Sequence, residues 1–257
     1  VRYQGIGVDL AIDAFDFSAT SITLDGVGIE AVRVNAALVV DGSAVDIRDL
    51  KASADVGKPV DVAVSLHGNA GLRDGDLFLE GVELSDGASR LALSGTIGQV
   101  ETDPVLDLSV RLVALEPASV ERLVGERVLS ETVSGEIAVT GTTAAVAAEG
   151  QLRGDSEDGS LALDVTVMPD REPISWSLRL APSGLAVDTL TPLVPVGTRL
   201  NGVVRIEGTG TEFPGRMRAT IDAEFGVQHV AGHRVTAAGV RADLDGGALT
   251  VHEAQAT

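Results

Sequence analysis

The chain has 257 residues, 44% of them apolar, which is enough for one long domain or two ordinary ones and too apolar for disorder. Against 19 basic residues stand 38 acidic ones, and the resulting formal charge of −19 repels nucleic-acid phosphates and anionic lipid surfaces alike. There is no cysteine, so disulfide stapling and thiolate metal sites are excluded.

The apolar residues are nearly all Val, Leu, Ala and Ile, with five Phe, one Trp and one Tyr. Slim aliphatic side chains suit a thin or open structure better than a thick sandwich. No run approaches the ~18–20 apolar residues of a membrane helix, and no basic-then-apolar leader opens the chain. The chain starts inside an apparent strand. The expectation is a fragment of a longer protein, with any membrane anchor outside it.

In chain order, a motif of the form apolar-x-apolar-x-x-apolar-x-apolar begins at residue 22 as ITLDGVGI and returns at 45 as VDIRDLKA, at 77 as LFLEGVEL and at 249 as LTVHEAQA. Between and around these copies, DVAVSLH (61–67), LALDVTV (161–167), WSLRL (176–180) and MRATIDAEF (217–225) alternate with period two, the pattern of strands with one dry and one wet face. Asp-Gly at Asp25, Asp41, Asp74, Asp86, Asp158 and Asp245, and Asn201-Gly202, read as hairpin turns. At ~12 residues per strand and turn, the chain holds ~20 strands. One helix is expected from Pro117, a residue tolerated in the first turn, through Val120, Leu123 and Val124 on one face to a stop at Gly125.

A longer similarity pairs SVRL at 109 with SLRL at 177, and GEIAVTGT at 135 with GVVRIEGT at 202, in each case about 67 residues apart. A proline-bearing stretch of helical flavour lies within each pair: LEPASVERLVGERV (115–128) and LAVDTLTPLVPV (185–196). The domain reading is one continuous β-segment over residues 1–257, with residues 169–173 the candidate interruption.

Catalytic and metal motifs are missing. The two histidines of HVAGH, His229 and His233, have helical ligand spacing, but Gly232 and the alternating flanks make them the exposed sides of a hairpin. DSEDGS (155–160) fails the calcium-loop register and reads as an acidic turn. No nucleophile elbow, phosphate loop or dinucleotide fingerprint is present. The chain is therefore read as a non-enzyme without cofactor or metal.

The tail from Leu200, LNGVVRIEGTGTEFPGRMRATIDAEFGVQHVAGHRVTAAGVRADLDGGALTVHEAQA, resembles the repetitive β-region of the AsmA-like family. LALSGTIG (91–98) and residues 107–141 are further pieces in the same style. The resemblance implies an elongated antiparallel sheet curled into a U, a β-taco, with an apolar concave face. It also implies a protein anchored in the bacterial inner membrane that crosses the periplasm and shields phospholipid acyl chains on their way to the outer membrane. Partners implied are phospholipid, an outer-membrane barrel protein and neighbouring repeats of the same chain, with no nucleic acid. The alternative function is an assembly module for outer-membrane barrels, acting through strand-edge pairing.

The residues placed on the dry face are those in phase in the clearest strands. They are Val62, Val64, Leu66, Leu77, Leu79, Leu91, Leu93, Leu106, Leu108, Val110, Ile137 and Val139, then Leu161, Leu163, Val165, Val167, Trp176, Leu178, Leu180, Val204, Ile206, Met217, Ile221 and Phe225, with Ala219 and Ala223 between the last. Period two alone leaves open whether this face lines a lipid groove or a closed core. The segment around Val120–Val124 is a candidate cap for its edge.

Overall fold

The structure is a computed structural model that describes residues 10–24, 27–56, 62–156, 159–192, 194–210, 217–231 and 233–257. The fold is almost all β, with a large antiparallel sheet that does not close into a barrel and two short helices. The chain divides into two compact units, Val1–Glu126 and Arg127–Thr257. Residues 169–173 lie inside the second unit, in the turn between two of its strands.

The first unit is a meander of seven strands paired in chain order: β1 (Leu10–Leu24), β2 (Val27–Asp41), β3 (Ala44–Val56), β4 (Val62–Arg73), β5 (Asp76–Ser85), β6 (Arg90–Gly98) and β7 (Val105–Leu115). Short connections make this order the cheap one. Arg73 pairs with Asp76, so Asp74 and Gly75 alone form the β4–β5 turn, both with positive φ (53° and 85°), as a primed turn requires. Asp25-Gly26 and Asp158 lie outside the described residues.

The repeated motif has a structural meaning: its doubled polar pair is a β-bulge. In β3, Val45, Ile47, Leu50 and Ala52 pair with Leu72, Ala70, Gly68 and Leu66, and Arg48 and Asp49 together oppose Asn69. In β5, Leu79 pairs with Gly95 and Val82 with Leu93, and Glu80 and Gly81 together oppose Ser94. Asp49 (φ 52°) and Gly81 (φ 57°) take the left-handed conformation, and their N–H groups donate to Asn69 Oδ1 (3.0 Å) and Ser94 Oγ (3.1 Å). A one-residue insertion reverses the parity of the strand. The sequence compensates with two polar residues in a row, so the apolar side chains stay on one face. The copy at 249 also bulges, with His252 the extra residue between Val251 and Glu253. The copy at 22 instead runs through the β1–β2 hairpin, where Leu24 pairs with Val27.

Helix α1 (Pro117–Val124) has Pro in its first turn and ends on Gly125, whose φ of 83° and N–H to the Glu121 carbonyl (2.8 Å) close the last turn. The side chains of Leu123 and Val124 lie outside the described residues, so the expected apolar stripe is not described further. What ties α1 down is polar. The Arg122 guanidinium donates to Asp86 Oδ2 (2.8 Å), and Asp86 Oδ1 accepts the N–H groups of Ala88 (3.0 Å) and Ser89 (2.6 Å) in the β5–β6 turn. The Glu116 N–H donates to Ser89 Oγ (2.9 Å).

The second unit has a main sheet in the order β8 (Val133–Gly141), β9 (Val146–Gly154), β10 (Ser160–Met168), β11 (Ser175–Ser183), β14 (Gly202–Thr209), β15 (Arg218–Phe225), β18 (Ala238–Asp245) and β19 (Ala248–Ala256). Two excursions leave it. Residues 184–201 contain β12 (Leu185–Ala186), α2 (Val187–Leu190) and β13 (Arg199–Leu200); residues 226–237 contain β16 (Gln228–Val230) and β17 (His233–Val235). The four strands of the excursions form a small sheet of their own. The long sequence similarity is a repeated strand–helix–strand passage: SVRL lies in β7 and SLRL in β11, with α1 and α2 following. Helix α2 is one turn, ended by the Pro192 and Pro195 region. Asn201-Gly202 is not a hairpin turn, contrary to expectation: Asn201 braces the excursion, accepting the Gly184 N–H (2.6 Å) and donating to the Val227 carbonyl (3.0 Å).

Burial pushes the Asp86 carboxyl up, but hydrogen bonds from Ser119, Ser89 and Ala88 and the Arg122 charge outweigh it and hold its pKa below the ordinary value. The stability Asp86 contributes is therefore complete above the unfolded carboxylate pKa of ~3.9 and is lost as pH falls through the depressed folded value. Asp86→Ala should cost about 1 kcal/mol by removing the hydrogen bonds it accepts from the turn and from Arg122. Urea denaturation at neutral pH and in acid should show that difference shrinking in acid.

Candidate functional site

The expected dry-face residues fall into register. In the first unit one row runs Ala52–Leu66–Leu84–Leu91–Leu112, the next Leu50–Gly68–Val82–Leu93–Val110, the next Ile47–Ala70–Leu79–Gly95–Leu108 and the last Val45–Leu72–Leu77–Ile97–Leu106. Val62 and Val64 extend the face opposite Val56 and Ala54. In the second unit, Val139, Ala148, Val165, Leu178, Ile206, Ile221, Ala242 and Val251 form one row across eight strands. Ile137, Gly150, Leu163, Leu180, Val204, Ala223 and Val240 form a second, and Val146, Val167, Trp176, Gly208, Ala219, Leu244 and Leu249 a third. Leu161 pairs with Leu152 and Pro182, and Phe225 with Gly202 and Ala238. Met217 alone among the expected residues lies outside a strand, one position before β15.

The main contacts of each long strand are with its neighbours in the sheet, and no large side chain among the described residues is fully buried. The buried apolar positions among the described residues are few and mostly small: Ala36, Ala186, Ala219, Ala223 and Ala242, with Val82, Val133 and Leu185. Most of the remaining apolar side chains of these rows are half-buried. Phe15 and Phe17 are 46% and 43% exposed, and Leu249 and Val251 on β19 are 59% and 54% exposed. A two-layer sandwich would bury its large inner side chains.

The opposite face is polar and cross-paired. In the second unit Glu149, Asp164, Arg179, Arg205, Asp222, Arg241 and Glu253 are successive partners, and Arg241 meets Asp222 at 3.2 Å. Asp46 of the first unit takes Arg73 at 2.8 Å and Arg48 at 3.5 Å, and the Arg73 hydrogen bond holds its carboxyl below the usual range. Asp243 is held low by its hydrogen bond to His252 (2.7 Å). Such exposed pairs stabilise little, yet they make a slipped register unfavourable. Hollows also lie on this side: about 790 Å³ bordered by Thr166, Ser177, Glu207 and Thr220, and about 690 Å³ around Asp46, Asn69 and Glu80.

One end of the second unit's apolar face is covered. Gly154 faces the apolar side opposite Val133, and a Cβ there would strike the Glu131 carboxylate and Leu190. Leu190 of α2 thus folds over the rim, and Leu185, Ala186 and Val133 are buried beside it. Glu131 fastens the strap by accepting from Thr189 Oγ1 (3.0 Å) and from the Ser156 N–H (3.1 Å), and the Ser130 N–H donates to the Leu190 carbonyl (2.7 Å). At the opposite rim Trp176 lies against Gly208 and donates its indole N–H to the Gly210 carbonyl (3.0 Å).

The histidine pair forms a hairpin: His229 pairs with Arg234 and His233 with Val230, both exposed. Among the described residues no three His, Asp or Glu side chains gather as a metal site, and no helix is long and apolar enough to cross a membrane. Sequence reasoning missed Phe15, Phe17, Ile47, Leu50, Val82, Leu84 and most of β18 and β19. The doubled polar pair of the repeated motif was the available signal for those beyond a bulge. No family model, curated protein or solved structure matches the chain.

Gly208→Val would drive a side chain into the Trp176 ring and the Arg218 carbonyl. Overpacking of this kind should cost about 1–3 kcal/mol. Trp176 emission should move to longer wavelength as the ring lifts toward water, with far-ultraviolet circular dichroism unchanged.

Proposed function

We propose that the chain is a lipid-shielding segment whose apolar faces hold phospholipid acyl chains, acting in the bacterial envelope as the AsmA-like resemblance implies. The observation that carries this reading is the half-buried apolar face: continuous rows of Val, Leu and Ile, in register across each unit's strands, with no large side chain among the described residues fully buried. Leaving such a surface in water is unfavourable by ~25 cal/mol per Å². Covering it with hydrocarbon relieves ~0.8 kcal/mol per CH₂ buried. The surface offers no directional contact along the rows, so a chain can move across them without breaking hydrogen bonds. The charged opposite face keeps the sheet wet on the other side.

A second reading, strand-edge pairing with an outer-membrane barrel protein, is favoured by one feature. Strand β19 pairs only with β18 among the described residues, and all nine of its residues are exposed. An unpaired edge with an apolar side is a template for an added strand. Crosslinks from β19 to a barrel, in protein that carries no lipid, would favour this reading.

Protein extracted gently should carry phospholipid detectable by mass spectrometry. Val165→Asp, at the centre of the second unit's rows, should abolish lipid transfer between vesicles while circular dichroism still reports the β-fold. Unimpaired transfer by that variant would count against the lipid reading.

A further inference from the structure

One hollow on the polar face of the first unit departs from the acidity of the chain. It measures about 610 Å³ and is floored by β2, β3 and β4. We propose that it is a phosphate-binding site, with Arg33, Asn35, Lys51 and Ser53 as the ligand-holding side chains. It lies on the face opposite the apolar rows and does not rest on the lipid reading.

Strand register builds the cluster. Arg33 of β2 pairs with Ser53 of β3, and Ser53 with Ser65 of β4. In the adjacent row Asn35 pairs with Lys51, and Lys51 with His67. Strands ~4.8 Å apart place both rows within ~10 Å from β2 to β4. All six residues carry hydrogen-bond donors and all six are exposed.

Charge separates this hollow from the two larger ones. In the hollow of about 790 Å³, two cations (Arg171 and Arg218) meet three anions (Glu207, Asp243 and Asp245). In that of about 690 Å³, Arg48 and Arg73 meet Asp46, Asp49 and Glu80, and both arginines are engaged by Asp46. Here Arg33 and Lys51 meet one anion, Asp16, among the described lining residues. The side chains of Arg33, Asn35, Lys51 and Ser53 have no hydrogen-bond or ion-pair partner among the described residues. The next carboxylate in the Lys51 row, Glu83, is engaged by His67 at 3.3 Å. Salt screens exposed charges beyond ~8 Å. The local surplus, rather than the total of −19, therefore governs what this hollow attracts.

The donor set selects the anion. A guanidinium fork, an ammonium, an amide and a hydroxyl are supplied by two neighbouring strands. A carboxylate offers two oxygens in one plane. A phosphate offers oxygens in several directions, so it can take the arginine fork and the lysine point charge together.

Two probes distinguish the sources of such a group. Glycerol 3-phosphate, titrated into the full chain by calorimetry, represents a soluble phosphate ester. Vesicles of phosphatidylcholine containing phosphatidic acid, with pure phosphatidylcholine as the blank, represent a lipid headgroup and are read by co-sedimentation. Saturable binding of either probe should weaken at least about tenfold in Arg33→Gln and in Lys51→Gln, each of which removes a charged donor. Arg205→Gln, on the charged face of the second unit, should leave it unchanged. Binding of neither probe would overturn the site, as would equal weakening by Arg205→Gln. Acetate that displaces a bound probe as well as inorganic phosphate does would overturn the assignment to phosphate.

Discussion

Every strand of both units must keep its apolar side chains on one side, and neighbouring strands must agree on which side that is. Backbone hydrogen bonds fix which residues sit opposite each other, and the pleat then fixes which way each side chain points. A slip of one residue would turn a whole strand over, placing Arg179 or Asp164 among the valines. The same requirement explains the glycines at crowded crossings. Gly68 has φ 150° and faces the bulged segment Gly81–Val82 so closely that a Cβ would meet the Val82 Cα at 2.6 Å. A bulge inserted for curvature or twist is tolerated where the residue across from it has been reduced to hydrogen.

Much of this was readable in the sequence. Period two in LALDVTV and WSLRL identified two paired strands and the face of each residue in them, and Pro117 and Gly125 marked the ends of the helix between them. The repeated motif was visible, but not its cause. A doubled polar pair reads as a broken alternation until the partner strand shows two residues opposing one. The strap was not legible, because LAVDTLTPLVPV carries conflicting signals: apolar periodicity, β-branched residues and two prolines. Which side of the sheet it crosses is set by Glu131, Ser156 and Asn201, residues remote in sequence and unremarkable in it. Local pattern specifies strands; such long-range polar fastenings are specified only by the fold.

The proposed lipid reading is consistent with the unusual makeup of the interior. A chain that is 44% apolar with so few aromatic residues has enough grease to form a dry layer but little bulk to fill a deep one. In each unit the apolar side chains are half-covered by lateral neighbours, and the fully covered positions in the sheets are chiefly alanines. Alanine brings strands into close contact and leaves room above them. Such a surface is smooth, aliphatic and free of hydrogen-bonding groups, which suits a mobile occupant better than a tightly posed one.

The predominance of neighbour-to-neighbour contacts among the long strands carries a mechanical consequence. A folded domain with a central core resists force until many contacts fail at once. Here removing an end strand breaks one ladder and disturbs only the next strand, so resistance accumulates ladder by ladder. Under tension such a sheet peels, giving way at low force and reseating when slack returns. That would let a protein under strain lengthen and recover without passing through a fully denatured state.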